Sequence, residues 1–293
     1  LLVDEAHGPH FAFHPDLPLD ALSAGADLTV QSTHKVLGAM TQASMLHIQG
    51  NRIDAQRLSK ALQLVQSTSP SYLLLASLDA ARQQMALHGE RLMSRTLKLA
   101  QDAKSKISKI PGLSVLEPIK SLRFQALDPT RLTVRVTELG LSGFEADEIL
   151  HQQLAVTAEL PTLHHLTFII SLGNTETDIQ QLVQAFTKLA QNNNNSSTEQ
   201  PAFCNLQHAT GNLQPLLSPR EAFFAPTQTL PVTETINRIS AELICPYPPG
   251  IPALMPGEQI KSTTIEYLQK ILTLGGQITG CSDPSLQTLK VID

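Results

Sequence analysis

Cysteine is scarce: Cys204, Cys245 and Cys281 are odd in number, widely spaced and form no C-x-x-C pair, so neither a disulfide framework nor a thiolate zinc site is indicated. Long apolar runs are missing as well. None approaches the roughly 20 residues that span a bilayer, and the start has no charged, apolar and small-residue segments of a signal peptide. Positive charge is in deficit, with 21 Lys plus Arg against 26 Asp plus Glu and a formal net charge of -5. That leaves no basic footprint for nucleic acid or an anionic membrane. A cytoplasmic protein without polyanionic partners is expected. An initiator methionine is also lacking. The chain opens on Leu1-Leu2-Val3, which reads as the second half of a buried strand, so an N-terminal portion is expected to be missing.

What is present is a chain of 293 residues, long enough for a substantial core and, by typical domain size, for two or three domains. Residues 1–3, 27–31 and 44–48 are apolar or β-prone, so the first stretch reads as strand, loop, strand, lysine-bearing turn, strand. Polar tetrapeptides follow the first two runs, Asp4-Glu5-Ala6-His7 and Ser32-Thr33-His34-Lys35. Ligands of open α/β sheets sit beyond the carboxyl ends of strands, so both are expected to face one crevice. A helix is predicted over 70–110, its middle (72–86) apolar enough for burial at a domain or subunit contact.

From 113 to 191 a second α/β unit is legible. Residues 131–136 alternate like a strand, Ser142 with Glu145 forms a capping box opening a helix toward Leu154, and 167–172 reads as another strand. Ile179, Leu182, Val183 and Phe186 then fall at helical spacing. The run NNNNSSTEQ at 192–200 has no apolar residue to offset ordering entropy and reads as a linker. Beyond it, Ser218, Pro219 and Glu221 mark a capped helix start. The proline-rich stretch 246–256 is expected to be stiff and extended. Thr263 with Glu266 is expected to cap a last helix that stops at Gly275-Gly276. No internal repeat is visible.

The chemistry that this layout fits is that of pyridoxal phosphate (PLP), which needs a lysine to form an imine, an acid to keep the pyridine nitrogen protonated, and donors for the phosphate. Lys35 follows a strand beside Ser32 and His34, both suitable donors. Asp4, at the end of the preceding strand, is placed to face the ring nitrogen, and His7 could bond the ring hydroxyl or stack near the imine. Each residue alone has a plainer reading: a surface lysine, a solvated strand end, a hydrogen-bonded turn histidine. The joint pattern is the signal.

DEAHG at 4–8, QSTHK at 31–35 and TQASMLH at 41–47 resemble the major domain of the ornithine/lysine/arginine decarboxylases of PLP fold type I. SPREAFFA at 218–225 and RISAELICPYPPGIPALMPGE at 238–258 resemble that family's C-terminal domain. The resemblance implies an α/β fold. Residues 1–90 would be the end of a PLP-dependent transferase-like major domain and 91–191 a small α/β domain; after the 192–200 linker, 201–293 would form a C-terminal α+β domain. It implies PLP as cofactor and decarboxylation of arginine, lysine or ornithine to the amine, in a homodimer or an assembly of dimers. The compact form without an N-terminal wing resembles the family's arginine decarboxylases. Lys35 would be the Schiff-base lysine, Asp4 the pyridinium partner, His7 a residue close to ring and imine, and Ser32 and His34 phosphate or imine-side contacts. Residues 67–71 resemble the stretch near the dimer interface. Glu258 would line the substrate entrance or simply cap its loop.

Three rivals remain. His7, His10 and His14 are loosely spaced for a metal, but Pro9 and Pro15 break any regular helical frame there. Aminotransferases and α-oxoamine synthases of the same fold type share comparable Asp and Lys placements, whereas His34-Lys35 with the PYPPGIP segment favours decarboxylation. A non-catalytic truncated subunit is the third. Fold type I enzymes build part of the phosphate site upstream of the Asp strand, so the isolated chain is expected to bind PLP weakly or not at all.

Overall fold

The computed structural model describes residues 1–117, 126–193, 215–247 and 250–293. Two compact units emerge: Leu1–Lys106, Leu116–Leu132 and Ile169–Val183 form the first, and Ile107–Val115, Thr133–Phe168 and Gln184–Asp293 the second.

In the first unit, β1 (Leu2–Asp4) pairs in parallel with β2 (Leu28–Gln31), in the register Leu2↔Leu28, Val3↔Thr29 and Asp4↔Val30. After a one-turn helix α1 (Thr33–Val36), β3 (Met45–Ile48) returns antiparallel to β2. Parallel pairing brings the carboxyl ends of β1 and β2 to one edge, as the strand pattern predicts. The loops there are tied together. Glu5 N–H donates to Val30 O and Ser32 N–H to Ala6 O. The buried Glu5 carboxylate accepts from Ala21 N–H at 2.8 Å and from Gln31 Nε2 at 2.6 Å. The sequence reading treated Asp4-Glu5 as one polar strand end, but only Asp4 is exposed; Glu5 is a staple.

Helix α2 (Ala55–Val65) starts at Asp54, whose side chain accepts from the N–H groups of Gln56 and Arg57. Helix α3 (Tyr72–Ile107) runs 36 residues, about 54 Å at 1.5 Å per residue. Its Met85 and Met93 pack with Leu17, flanked by Phe11 and Phe13. Tyr72, Leu73 and Leu75, expected to be buried at a contact, are exposed in the single chain, as are Leu64 and Val65 of α2. One further anchor draws His10 together with Asp128 and Thr130, the latter 120 positions away. His10 is fully buried, with Nε2 3.2 Å from Asp128 Oδ2. Thr130 donates to Asp128 Oδ1 from its hydroxyl at 2.7 Å and its N–H at 2.9 Å.

Further along, a four-stranded sheet has the order β4 (Ser114–Val115), β5 (Arg131–Arg135), β7 (His165–Ile169), β6 (Leu160–Pro161). The Ser142–Glu145 capping box forms as predicted and opens α4 (Gly143–Leu154). The strand expected at 167–172 lies two to three residues earlier, because the chain turns through Ser171 and Asn174. The amphipathic helix is α5 (Glu176–Asn193); the rest of the expected linker lies outside the described residues.

In the second unit, α6 (Pro219–Phe224) carries the predicted Ser218–Glu221 box. Two ribbons follow, β8 (Thr227–Pro231) with β11 (Thr288–Ile292) and β9 (Cys245–Tyr247) with β10 (Gln277–Thr279). Ile244, Leu254, Ile260 and Leu289 share a core with Leu268 and Ile271 of α7 (Ser262–Thr273). The proline-rich stretch is not extended throughout: Gly250, at φ +83°, donates to Pro246 O, and Ile244 bridges Leu254 antiparallel. Glycine's freedom at positive φ outweighs proline stiffness there. The last helix starts at Ser262 after an N-cap Lys261 without a side-chain cap, so the Thr263–Glu266 box does not form. Its stop before Gly275 (φ +86°) is as predicted. Among the described residues Cys245 and Cys281 are free thiols, and no helix is long and apolar enough to cross a membrane.

Two stability predictions follow from these contacts. A Cβ at Gly143 would lie 2.7 Å from His165 O and closer still to Thr162 O. Backbone cannot swing aside as a side chain can, so Gly143→Ala should cost about 1–3 kcal/mol in urea unfolding. Burial alone would raise the pKa of Asp128, yet the hydrogen bond and charge of His10 and the bonds from Thr130 hold it below the ordinary 3.8. A depressed carboxylate contributes stability that is complete above its unfolded-state pKa and lost as pH falls through the folded one. Asp128→Asn should therefore flatten the loss of stability below about pH 4; an unchanged slope in acid titrations followed by circular dichroism would contradict this.

Candidate functional site

The edge at the carboxyl ends of β1 and β2 carries the reactive groups. Asp4 ends β1, exposed, and its Oδ1 accepts the Ala6 N–H at 3.0 Å. That bond fixes the carboxylate at the strand terminus instead of leaving it free to rotate. Two residues on, His7 presents Nε2 to Lys35 Nζ at 3.2 Å. Lys35 sits on α1, whose N-cap Ser32 makes no side-chain cap bond, so its hydroxyl is uncommitted to the helix. His34 is committed: its Nδ1 donates to Ala43 O at 2.9 Å, and its own N–H reaches the same carbonyl at 3.1 Å. A neutral His34 then offers only a lone pair at Nε2, and donation from there to a phosphate oxygen requires the imidazolium.

Asp4, His7, Ser32, His34 and Lys35 are thus gathered on one edge. Glu258 lies in the second unit, where its Oε2 accepts the Met255 N–H at 2.9 Å within its own loop. The three histidines weighed as metal ligands have separate partners. His7 faces Lys35, His10 faces Asp128, and His14 accepts from Asp16 N–H at Nδ1 and meets Ser94 Oγ at Nε2. Among the described residues no group of three or more His, Cys, Asp or Glu side chains could hold a metal ion.

The sequence reading missed Arg131. It opens β5, a strand that was recognised for its alternation, yet its guanidinium reaches back 124 positions to His7. Nη2 lies 3.1 Å from His7 Nδ1 and 3.1 Å from His7 O, while Nε lies 3.6 Å from Asp128 Oδ2. The available signal was the polar run Asp128-Pro129-Thr130-Arg131 directly before an apolar strand. His7 itself has a pKa below the ordinary 6.5. Burial contributes most, the Arg131 and Lys35 charges add to it, and Asp4 and Asp128 oppose it. The balance favours the neutral form of the ring.

An amine, a fixed carboxylate, a neutral imidazole and an uncommitted hydroxyl on one sheet edge suit a carbonyl cofactor with a basic ring nitrogen. Comparison with known proteins points the same way. Residues 1–126 match the Orn/Lys/Arg decarboxylase major domain and residues 200–283 the Orn/Lys/Arg decarboxylase C-terminal domain. Arginine decarboxylases of Bacillus subtilis and Halalkalibacterium halodurans are each 38% identical over 100% of this chain and 60% of their own length. The crystal structure of the Francisella novicida lysine decarboxylase superposes with a TM-score of 0.81 at 25% identity, over 100% of this chain and 53% of that one. The chain therefore spans about 60% of the length of the curated relatives it matches. The two family matches at opposite ends of the chain, together with the α/β layout between them, support PLP as the cofactor and show that the chain belongs to the Orn/Lys/Arg decarboxylase family.

Proposed function

We propose that the protein decarboxylates a basic amino acid to the corresponding amine, with Lys35 holding PLP and arginine as the foremost substrate. The observation that carries this is the approach of Lys35 Nζ to within 3.2 Å of His7 Nε2, on the same edge as the fixed carboxylate of Asp4. When bound, PLP supplies a carbonyl that condenses with amines and a protonated ring that accepts the electron pair left on the substrate Cα as carbon dioxide departs. Lys35 would bind it through Nζ and later serve as acid or base toward Cα. Asp4 would keep the ring nitrogen protonated, since a permanent negative charge beside it favours the charged form. Ser32 would donate to a phosphate oxygen. His34 would hold the Lys35 turn through Ala43 O. The relatives named as arginine decarboxylases, at 38% identity, support arginine over lysine and ornithine.

The domain division proposed above, with 1–90, 91–191 and 201–293 as separate parts, goes with this reading, as does a cytoplasmic location. A homodimer is supported by the exposure of the large apolar side chains Leu64, Val65, Tyr72 and Leu73, which a partner subunit would cover.

Cofactor-loaded protein given arginine, lysine or ornithine should release carbon dioxide, fastest with arginine. Lys35→Ala should abolish this and remove the visible absorbance of the bound cofactor. Transfer of the amino group without carbon dioxide, or an active Lys35→Ala protein, would sink the proposal. Leu64→Glu combined with Leu73→Glu should shift sedimentation toward monomer.

A further inference from the structure

The contacts of His7 contain a constraint on where its proton sits. Arginine donates hydrogen bonds and accepts none. Arg131 Nη2 carries two hydrogens and meets two acceptors on one residue, the ring Nδ1 and the backbone O of His7, each at 3.1 Å. With Nδ1 accepting, a neutral imidazole must carry its single proton on Nε2, the atom 3.2 Å from Lys35 Nζ. An ammonium has three donors and no lone pair, so the 3.2 Å contact becomes a hydrogen bond from His7 only when the Lys35 nitrogen carries a free lone pair, as an amine does. The alternative ring form would set an N–H against the guanidinium.

We propose that Arg131 is a positioning residue that clamps His7 as its Nε2–H tautomer and thereby aims that N–H at the Lys35 nitrogen. This rests on the reading of Lys35 as the cofactor lysine and adds to it a role for a residue contributed by a distant strand. Arg131 is itself oriented from behind: Asp128, fixed by fully buried His10 and by Thr130, lies 3.6 Å from its Nε. The chain of contacts therefore runs from a buried pair, through Arg131, to an exposed ring and amine. The charged groups that face His7 are Arg131, Asp4, Asp128 and, in its ammonium form, Lys35, and burial with the cations prevails over the two carboxylates in lowering its pKa.

The test reads His7 directly and needs neither cofactor nor substrate. Cofactor-free protein is labelled with 15N-histidine, and the imidazole 15N–1H correlations are followed with pH; the His7 signals are those lost in His7→Gln. Wild type should show Nδ1 unprotonated and Nε2 protonated, with a titration midpoint below that of an ordinary histidine. Arg131→Met should raise the midpoint by about one pH unit and mix the tautomers. Arg131→Lys keeps a charge near Asp128 without the two-pronged fork, so it should retain part of the low midpoint while losing the fixed tautomer; it carries the test if the methionine variant fails to fold. A wild-type His7 protonated at Nδ1 overturns the proposal, as do His7 signals unchanged in the folded variants. Failure of Lys35→Ala to stop decarboxylation would instead strike the functional reading and leave the tautomer result standing.

Discussion

The parallel pairing of β1 with β2 is the constraint on which the site depends. Three Cα pairs define the register, and the Glu5 N–H to Val30 O and Ser32 N–H to Ala6 O bonds extend it into the loops beyond. A one-residue slip would turn every side chain of β1 to the opposite face, carrying Asp4 away from its place. Three residues of strand are little to hold a register. The buried Glu5 carboxylate supplies the missing specificity, because its two bonds, to Ala21 and Gln31, can be made together only in this alignment. Charge-assisted bonds to a buried carboxylate are also costly to break, so the misaligned state is penalised as well as the aligned one favoured.

Buried and exposed charge are divided between support and chemistry. His10 and Asp128 are withdrawn from water and paired with each other and with Thr130, a polar cluster that would be less favourable still if any member were missing. Asp4, His7 and Lys35 remain exposed at the end of β1, in the loop beyond it and on the one-turn helix α1 after β2, where groups that must meet a small molecule are usually found. Arg131 is the member shared by both sets: its Nε faces the buried carboxylate and its Nη2 faces the exposed imidazole. The rigid part of the unit can thus orient the reactive part without lending it a solvent-inaccessible charge.

What the sequence disclosed and what it concealed divide along the same physical line. Capping boxes at Ser142–Glu145 and Ser218–Glu221, strand ends at Asp4 and Gln31, and the helix stop at Gly275 depend on neighbours within a few residues, and all were legible. The Thr263–Glu266 pattern satisfied the same spacing yet formed no cap, because the N-cap is Lys261, two residues earlier, which leaves Thr263 inside the first turn. The roles of His10, Glu5 and Arg131 were invisible for another reason. Their partners lie 16 to 124 positions away, and no local periodicity encodes which histidine will meet which carboxylate. His7 could be nominated from its place beside Asp4, but what tunes it could not.

Substrate choice obeys a different constraint. This fold is shared with a lysine decarboxylase at TM-score 0.81, while relatives at 38% identity are arginine decarboxylases, so backbone architecture alone does not decide between the two amino acids. Arginine and lysine present the same α-amino group and α-carboxylate on similar aliphatic stems and differ chiefly at the far end, where one ends in a planar fork of donors and the other in a compact ammonium. Asp4, His7 and Lys35 would act where the two substrates are identical, and therefore have no means of telling them apart. In an enzyme that takes one of them, discrimination would have to come from acceptors that meet the far end of the substrate: two in one plane, spaced for a guanidinium, or several converging on a single nitrogen. A site that left one of those acceptors unpaired with the wrong substrate would reject it more strongly than any difference in apolar contact could.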